Sequence, residues 1–266
     1  MSRGITKTIG WRGIGAIAAA LVAAGCGSSP SSTGGTASAR ADGTNPSGPG
    51  QPTVLAAASL TKVFPQIEAN AKFTFGGSGA LETDIEQGAP ADVFAAASPK
   101  QPAQLFAKNL VEKPVEFATN TLVLIVPKSN PAHITSVTDI TKPGVKLVIC
   151  NATVPCGGYA RTAFKNLGIT AAAMKRVVSQ TTDVTQTVAE VALGQADAGF
   201  VYITDAKAAV GKVSVVPLPA QAKPEAKDFI AVVKSGQHQA AAKAFVAAVL
   251  SPQGQAKLQA AGFGKP

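Results

Sequence analysis

From Thr53 to the end of the chain, apolar residues fall into two kinds of run that alternate. The first kind is short, in several cases unbroken, and rich in Val, Ile, Leu and Phe. It covers residues 53–57, 72–75, 92–96, 122–126, 146–150, 198–202, 213–217 and 229–233. Unbroken apolar runs of this length predict strands buried on both faces, as parallel strands are. The second kind is amphipathic with helical spacing. Val63 and Ile67 lie four apart in a segment opening at Ser59, and Leu81 and Ile85 do the same after Gly79. A third helix is predicted near Gly157. A fourth opens at Asp183 and sets Val184, Val188 and Val191 on one stripe. Residues 238–250 and 252–260 close the chain as two more helices. Repeated strand–helix alternation predicts an α/β fold with helices on both faces of mainly parallel sheets. No internal repeat is evident.

The first 52 residues follow neither pattern. Arg3, Lys7 and Arg12 form a basic start, and Ile14 to Ala24 is an apolar stretch too short to span a bilayer. Residues 1–25 therefore read as a signal peptide. Small residues precede Cys26, as in a bacterial lipobox, where the Cys is lipidated and becomes the new N-terminus; Ala23 stands where such sites usually carry a large aliphatic residue. The following residues, up to 52, are nearly all Gly, Ser, Thr, Pro and Ala, a composition that cannot bury a core and predicts a flexible tether.

Composition narrows the chemistry. Cleavage before Cys26 would lower the formal net charge from +9 to +6, which attracts anions by long-range steering. The lysines are scattered singly and aromatics are only 5% of residues, so neither a basic run nor a stacking platform for nucleic acid is visible. The only Trp, Trp11, lies in the signal segment, and the two His, His133 and His238, are far apart and read as surface residues. A Ser-His-Asp triad or a zinc site has little to draw on. Besides Cys26 the chain has Cys150 and Cys156; in an exported protein a Cys150–Cys156 disulfide is the expected state.

Candidate chemistry lies at the strand-to-helix turns. AAASLTKVF (56–64) brings Ser59 to a helix start, and FGGSGALETDIEQGAPADVF (75–94) brings Ser78 to another. ICNATVPCGGYARTAF (149–164) places the N–H of Cys156 at a third, and SQTTDVTQTVAEV (179–191) leaves the N–H of Val184 free in the first turn of a fourth. GFVYITDA (199–206) ends a strand on Tyr202. Helix starts carry unpaired N–H groups and the positive end of a dipole, so several facing one another predict an oxyanion cradle with no cationic side chain. Lys62 and Arg161, near helix starts, are expected to point to solvent. Asp92 reads as structural and Asp183 as the cap of its own helix. Thr119, Asn120 and Thr121 are candidates for lining a hinge.

Together AAASL, SGALETDIEQGAPADVF, VPCGGYA, the DV of TTDVTQTV and GFVYITDA resemble the periplasmic molybdate-binding proteins of ABC importers, over essentially all of the folded part. The resemblance implies a periplasmic-binding-protein fold of two α/β lobes with the ligand between them. Lobe 1 would be residues 53–120 plus 229–266 and lobe 2 residues 121–228, with crossings near 121–124 and 227–230. It also implies an oxyanion, molybdate or tungstate, held by the Ser59, Ser78 and Tyr202 hydroxyls and the Cys156 and Val184 backbone N–H groups. No cofactor or metal is implied beyond the metal of the bound anion. The expected protein is a monomer, lipid-anchored through Cys26 at the outer face of the cell membrane and serving an ABC permease, with no catalytic activity. Sulfate or another tetrahedral oxyanion is the alternative ligand, and a secreted hydrolase using Ser59 or Ser78 is the alternative from another class.

Overall fold

The computed structural model describes residues 50–266; the signal segment, Cys26 and the tether as far as residue 49 lie outside the described residues. Strands β1 (Thr53–Ala57), β2 (Lys72–Gly76) and β3 (Val93–Ala96) alternate with helices α1 (Phe64–Ile67), α2 (Ser78–Glu86) and α3 (Lys100–Ala107). The 13-residue strand β4 (Val115–Pro127) follows and leads to β5 (Leu147–Cys150). Then come α4 (Pro155–Asn166), α5 (Thr170–Met174), β6 (Val177–Thr181) and α6 (Val184–Ala192). β7 (Ala198–Tyr202), α7 (Ile203–Ala208) and β8 (Val213–Val216) precede β9 (Glu225–Val232), α8 (Gln239–Leu250) and α9 (Pro252–Ala261).

The strands hydrogen-bond in the order β2-β1-β3-β9-β4-β7-β5-β6, with β8 also beside β4. Pairing is parallel at the two ends, β1 with β2 and β3, and β5 with β6 and β7. It is antiparallel in the middle, where β9 and β4 lie. Strand β4 changes partner within one step. Thr121 faces Glu225 of β9, and Leu122 faces Tyr202 of β7. One strand thus belongs to two sheet halves.

The α/β class and the expected strands are present, with instructive differences. β4 and β9 both begin well before their apolar runs, at Val115 and Glu225. Their leading parts carry polar residues, Glu116, Thr119 and Asn120 in β4 and Lys227 and Asp228 in β9, with Thr119 facing Lys227 across the ladder, so no unbroken apolar run announces them. β6 alternates half-buried and exposed residues because it is the last strand in the order. α3 buries only Gln101, Pro102 and Leu105 and so lacks an apolar stripe.

Alternation along β1 feeds two cores. Val54 and Ala56 join the main core, while Leu55 packs with Leu81, Ile85, Phe94 and Leu105 on the other face. In the main core Phe64 meets Phe117 at 5.8 Å and Phe245 at 5.4 Å between ring centroids, which joins α1 to β4 and α8. Asp92 is structural, as its position implies. Its carboxylate accepts the Thr53 and His238 N–H groups, each at 2.8 Å, and contacts the His238 ring Nδ1 at 3.0 Å. It thereby ties the start of β1 to the start of α8.

The expected Cys150–Cys156 disulfide is absent: both residues are buried free thiols. Each has another partner. Cys156 Sγ donates to the Phe200 carbonyl at 3.0 Å, and Cys150 Sγ lies 3.5 Å from Thr187 Oγ1. Packing between sheet and helix sets the two thiols side by side, hydrogen-bonded to each other and to these partners, without a disulfide.

Asp228, on β9, is 1% exposed, and neither carboxyl oxygen has a hydrogen-bond partner. Burial pushes its carboxyl well above the usual carboxylate range, and Asp205 and Glu116 add repulsion. A carboxyl whose folded pKa is raised stabilises the fold below the unfolded pKa of about 3.9 relative to higher pH, and this advantage is lost as pH rises through the folded value. Asp228→Asn removes the titration. It should therefore gain about 1–3 kcal/mol over wild type near pH 8, a Tm rise of several degrees, with the gap closing towards pH 4. Thermal melts across that range check it, and a pH-independent gap would contradict it.

Candidate functional site

Five chain segments converge on one small pocket. The turn Ala58–Leu60 after β1 brings Ser59, and the β2–α2 junction brings Ser78. The β5–α4 and β6–α6 junctions bring Cys156 and Val184, and the end of β7 brings Tyr202. All five sequence-predicted ligand residues line this pocket, together with Gly77, Pro155 and Asp183. The cavity volume is about 10 Å³, space for about one water-sized sphere.

The donors arrive unpaired. Ser59 Oγ and Tyr202 Oη are buried and have no hydrogen-bond partner. Ser78 Oγ accepts the Ala97 N–H at 3.2 Å, which leaves its own proton to donate. A buried hydroxyl without a partner costs about 1–3 kcal/mol, so the cluster favours an acceptor at its centre. Burial also pushes the Tyr202 phenol well above its usual range, which keeps it a protonated donor. Val184 and Ser78 are the first residues of their helices and Cys156 the second, so their N–H groups have no helical acceptor. The lining contains no Lys, Arg or His. Its one charged residue, Asp183, caps α6 by accepting the Gln186 N–H at 3.0 Å.

Some local readings change. Ser59 does not head a continuous helix. It sits in a three-residue 3-10 turn, and α1 begins only at Phe64 with Pro65 in its first turn. Pro65 has no N–H to continue a helical ladder, so this segment contributes a hydroxyl without a long helix dipole. Conversely, α2 begins at Ser78 itself. Arg161 does not point to solvent: it donates to the Cys150 and Gly157 carbonyls and to Gln180 Oε1, bracing the β5–α4 junction. Lys62 is exposed, His133 is exposed, and His238 is held by Asp92. Thr119, Asn120 and Thr121 stay outside the pocket. Asn120 Nδ2 instead donates to Thr204 Oγ1 at 3.0 Å, tying β4 to α7.

One supporting residue escaped the sequence reading. Asp205 accepts the Tyr202 N–H at 2.9 Å and fixes the strand end that carries the phenol. Burial pushes its carboxyl up to about 7, and Asp183 adds to the rise. The signal was legible as a residue three positions after a helix cap, the acidic half of a capping box.

The turn Gly77–Gly79 touches the opposite side of the pocket so closely that side chains are excluded. A Cβ on Gly77 would lie 2.4 Å from the Thr182 carbonyl oxygen, and one on Gly79 2.5 Å from that of Thr153.

A fold of two sheet halves joined by shared strands, with a donor-lined pocket between them, is the architecture of an extracellular solute receptor. Residues 52–264 match the family model of bacterial extracellular solute-binding proteins, and the chain belongs to that family. It is 38% identical to the molybdate-binding protein ModA of Mycobacterium tuberculosis over 96% of this chain and 99% of that one. Among solved structures, the substrate-binding domain of a putative molybdenum ABC transporter from Clostridium difficile is 31% identical, with a TM-score of 0.58 over 81% of this chain and 99% of the other. The periplasmic molybdate-binding protein of Azotobacter vinelandii shares the fold at a TM-score of 0.72 and 24% identity, over 81% and 100% of the two chains.

The glycine contacts make a testable demand. Gly79→Ala would set a Cβ 2.5 Å from the Thr153 backbone oxygen, so the gain in helix propensity of about 1 kcal/mol should be offset by the forced separation of the two segments and the thermal stability should not rise. The added methyl keeps the α2 turn off Thr153, so calorimetric titration with tetrahedral oxyanions should show affinity at least about tenfold weaker, roughly 1.4 kcal/mol. Wild-type affinity in this variant would show that the contact is dispensable.

Proposed function

We propose that this protein captures molybdate, and tungstate with it, outside the cell membrane and delivers it to an ABC permease. The observation that carries the reading is the pocket itself: the buried Ser59 and Tyr202 hydroxyls lack partners, Ser78 has a proton to give, and no cation is present. Neutral donors with no acceptor of their own suit a fully deprotonated tetrahedral dianion. Hydrogen bonds to a charged group contribute roughly 1.5–3 kcal/mol each, so a handful hold such an ion tightly. A monoprotonated phosphate would also need an acceptor, and Asp183, whose Oδ1 accepts the Gln186 N–H, is the only carboxylate in the lining. Sulfate is a smaller tetrahedron, so rejecting it falls to cavity size. The relatives named for molybdate add weight to the choice of anion.

The same reading divides the folded part into lobe 1, residues 53–120 plus 229–266, and lobe 2, residues 121–228. Opening and closing then occur about β4 and β9, where β4 exchanges β9 for β7. Hinge closure of this kind buries a ligand and changes the outer surface that a permease meets. The protein acts as a monomer held to the membrane by a lipid on Cys26. Among the described residues no helix is long and apolar enough to cross a membrane, so the anchor falls to the N-terminal segment.

Isothermal titration of four variants tests the site. Ser59→Ala, Ser78→Ala and Tyr202→Phe should each weaken molybdate binding by roughly 1.5–3 kcal/mol, ten- to a hundredfold or slightly more. Val184→Ala keeps its N–H and should cost little. Hydroxyl variants that bind like wild type would place the anion elsewhere, and tighter binding of sulfate than of molybdate would reassign the ligand.

The anchor has its own test. Cys26→Ala should shift the protein from the membrane fraction to the soluble fraction or halt its maturation. Unchanged membrane association of that variant would refute lipidation at Cys26.

A further inference from the structure

The pocket shares a wall, Ala58 and Ser59, with a much larger groove of about 690 Å³. The groove is lined by the Ser59 turn and α9 on one side and by α6 and α7 on the other. Its charge is one-sided. Lys62 and Lys257 reach it from the first side and Lys207 and Lys212 from the second, and Asp205 is its only carboxylate. All four lysines are exposed, and among the described residues none is in an ion pair. Lys257 donates to the Gln66 carbonyl, an interaction that leaves its charge in place. The opposite side of the pocket is different in kind. There the Gly77–Gly79 turn lies against the Thr182 and Thr153 carbonyl oxygens, and Gln101 reaches the same Thr153 oxygen. That side is closed by these backbone contacts and contributes no cation to the pocket lining.

We propose that the lysine-lined groove is the entrance through which the oxyanion reaches Ser59, and that Lys62, Lys207, Lys212 and Lys257 set the rate of its capture. The inference rests on the oxyanion reading of the pocket. A dianion within a Debye length, about 8–10 Å at physiological salt, feels unpaired cations across the groove. Clefts lined by one sign of charge raise association rates by about 10- to 1,000-fold. None of the four lysines lines the inner pocket. They therefore act on arrival, while the neutral donors of the pocket act on retention.

The charge-reversal pair Lys62→Glu with Lys212→Glu separates these roles. Rapid mixing of the full chain with molybdate can be followed by tyrosine absorbance, because the only two tyrosines, Tyr159 and Tyr202, pack edge to face with centroids 6.3 Å apart beside the site. A control pair, Lys165→Glu with Lys175→Glu, makes the same change in net charge at exposed positions outside both cavities. At low salt the groove pair should associate about tenfold more slowly than wild type, with an unchanged dissociation rate and a difference that shrinks as salt is added. The control pair should stay close to wild type. Equal slowing in both pairs would mean that net charge alone steers the anion, and a groove effect confined to dissociation would mean that the lysines hold the ion; either result overturns the proposal. Equilibrium titration of wild type precedes the kinetics. Its failure with every tetrahedral oxyanion would bring down the functional reading and this inference together, whereas normal wild-type binding with unaltered groove kinetics brings down the inference alone.

Discussion

The arrangement of this fold turns on hydrogen-bond donors that are buried and have nothing of the protein to donate to. Ser59 Oγ and Tyr202 Oη are shut away from water with no acceptor, and helix-start N–H groups at Ser78, Cys156 and Val184 surround the same point. Leaving such groups unpaired is costly, so the surrounding architecture must be stable enough to hold them. It is held by strands buried on both faces, by the Asp205 brace on Tyr202 and by the Ala97 N–H that orients Ser78. A lysine in the pocket would bind an anion with fewer parts. It would also bind chloride and protonated species with little discrimination, because a point charge reads charge and not shape, whereas fixed donors read both.

A second constraint is proximity. The two sides of the pocket come from different parts of the sheet, and they meet only because Gly77 and Gly79 lack side chains. Strand β4 carries the mechanical load of this arrangement. It exchanges β9 for β7 between Thr121 and Leu122, and Asn120 locks the exchange point to α7 through Thr204. On the proposed division into two lobes, a change in the angle between them would be concentrated on a few backbone torsions of β4 and β9, strands that line none of the pocket but meet it where Leu122 pairs with Tyr202.

Much of this was legible in the amino-acid order, and the exceptions have physical causes. Strands buried on both faces announce themselves as unbroken apolar runs, so β1, β3, β5 and β7 were visible, and the turns that follow β1, β2 and β5 delivered their Ser and Cys as read. β6 and the leading halves of β4 and β9 were not visible, because an edge strand and a polar ladder at a hinge bury too little apolar surface to leave a pattern. The antiparallel middle of the sheet depends on which strands meet, a tertiary fact that no local window contains. The thiols misled for a related reason. Spacing across a short loop brings Cys150 and Cys156 near each other, but the direction of each Sγ is set by Thr187 and Phe200, residues of other elements. The Arg161 brace and the Asp205 support depend in the same way on partners that folding brings together.

The threading of the sheet carries one more consequence. The half that β1, β2 and β3 begin is completed by β9, α8 and α9, the last elements described, and the Phe64 ring closes against Phe245 across that join. That half is therefore not a continuous piece of chain, whereas the other, from the second part of β4 through β8, is. As the polypeptide is made and passed out of the cell from its N-terminus, the first half cannot settle until almost the whole chain has emerged, and the middle segment can form its own sheet before the segment that precedes it does. Completion of the first half thus waits on the last elements of the chain, β9, α8 and α9.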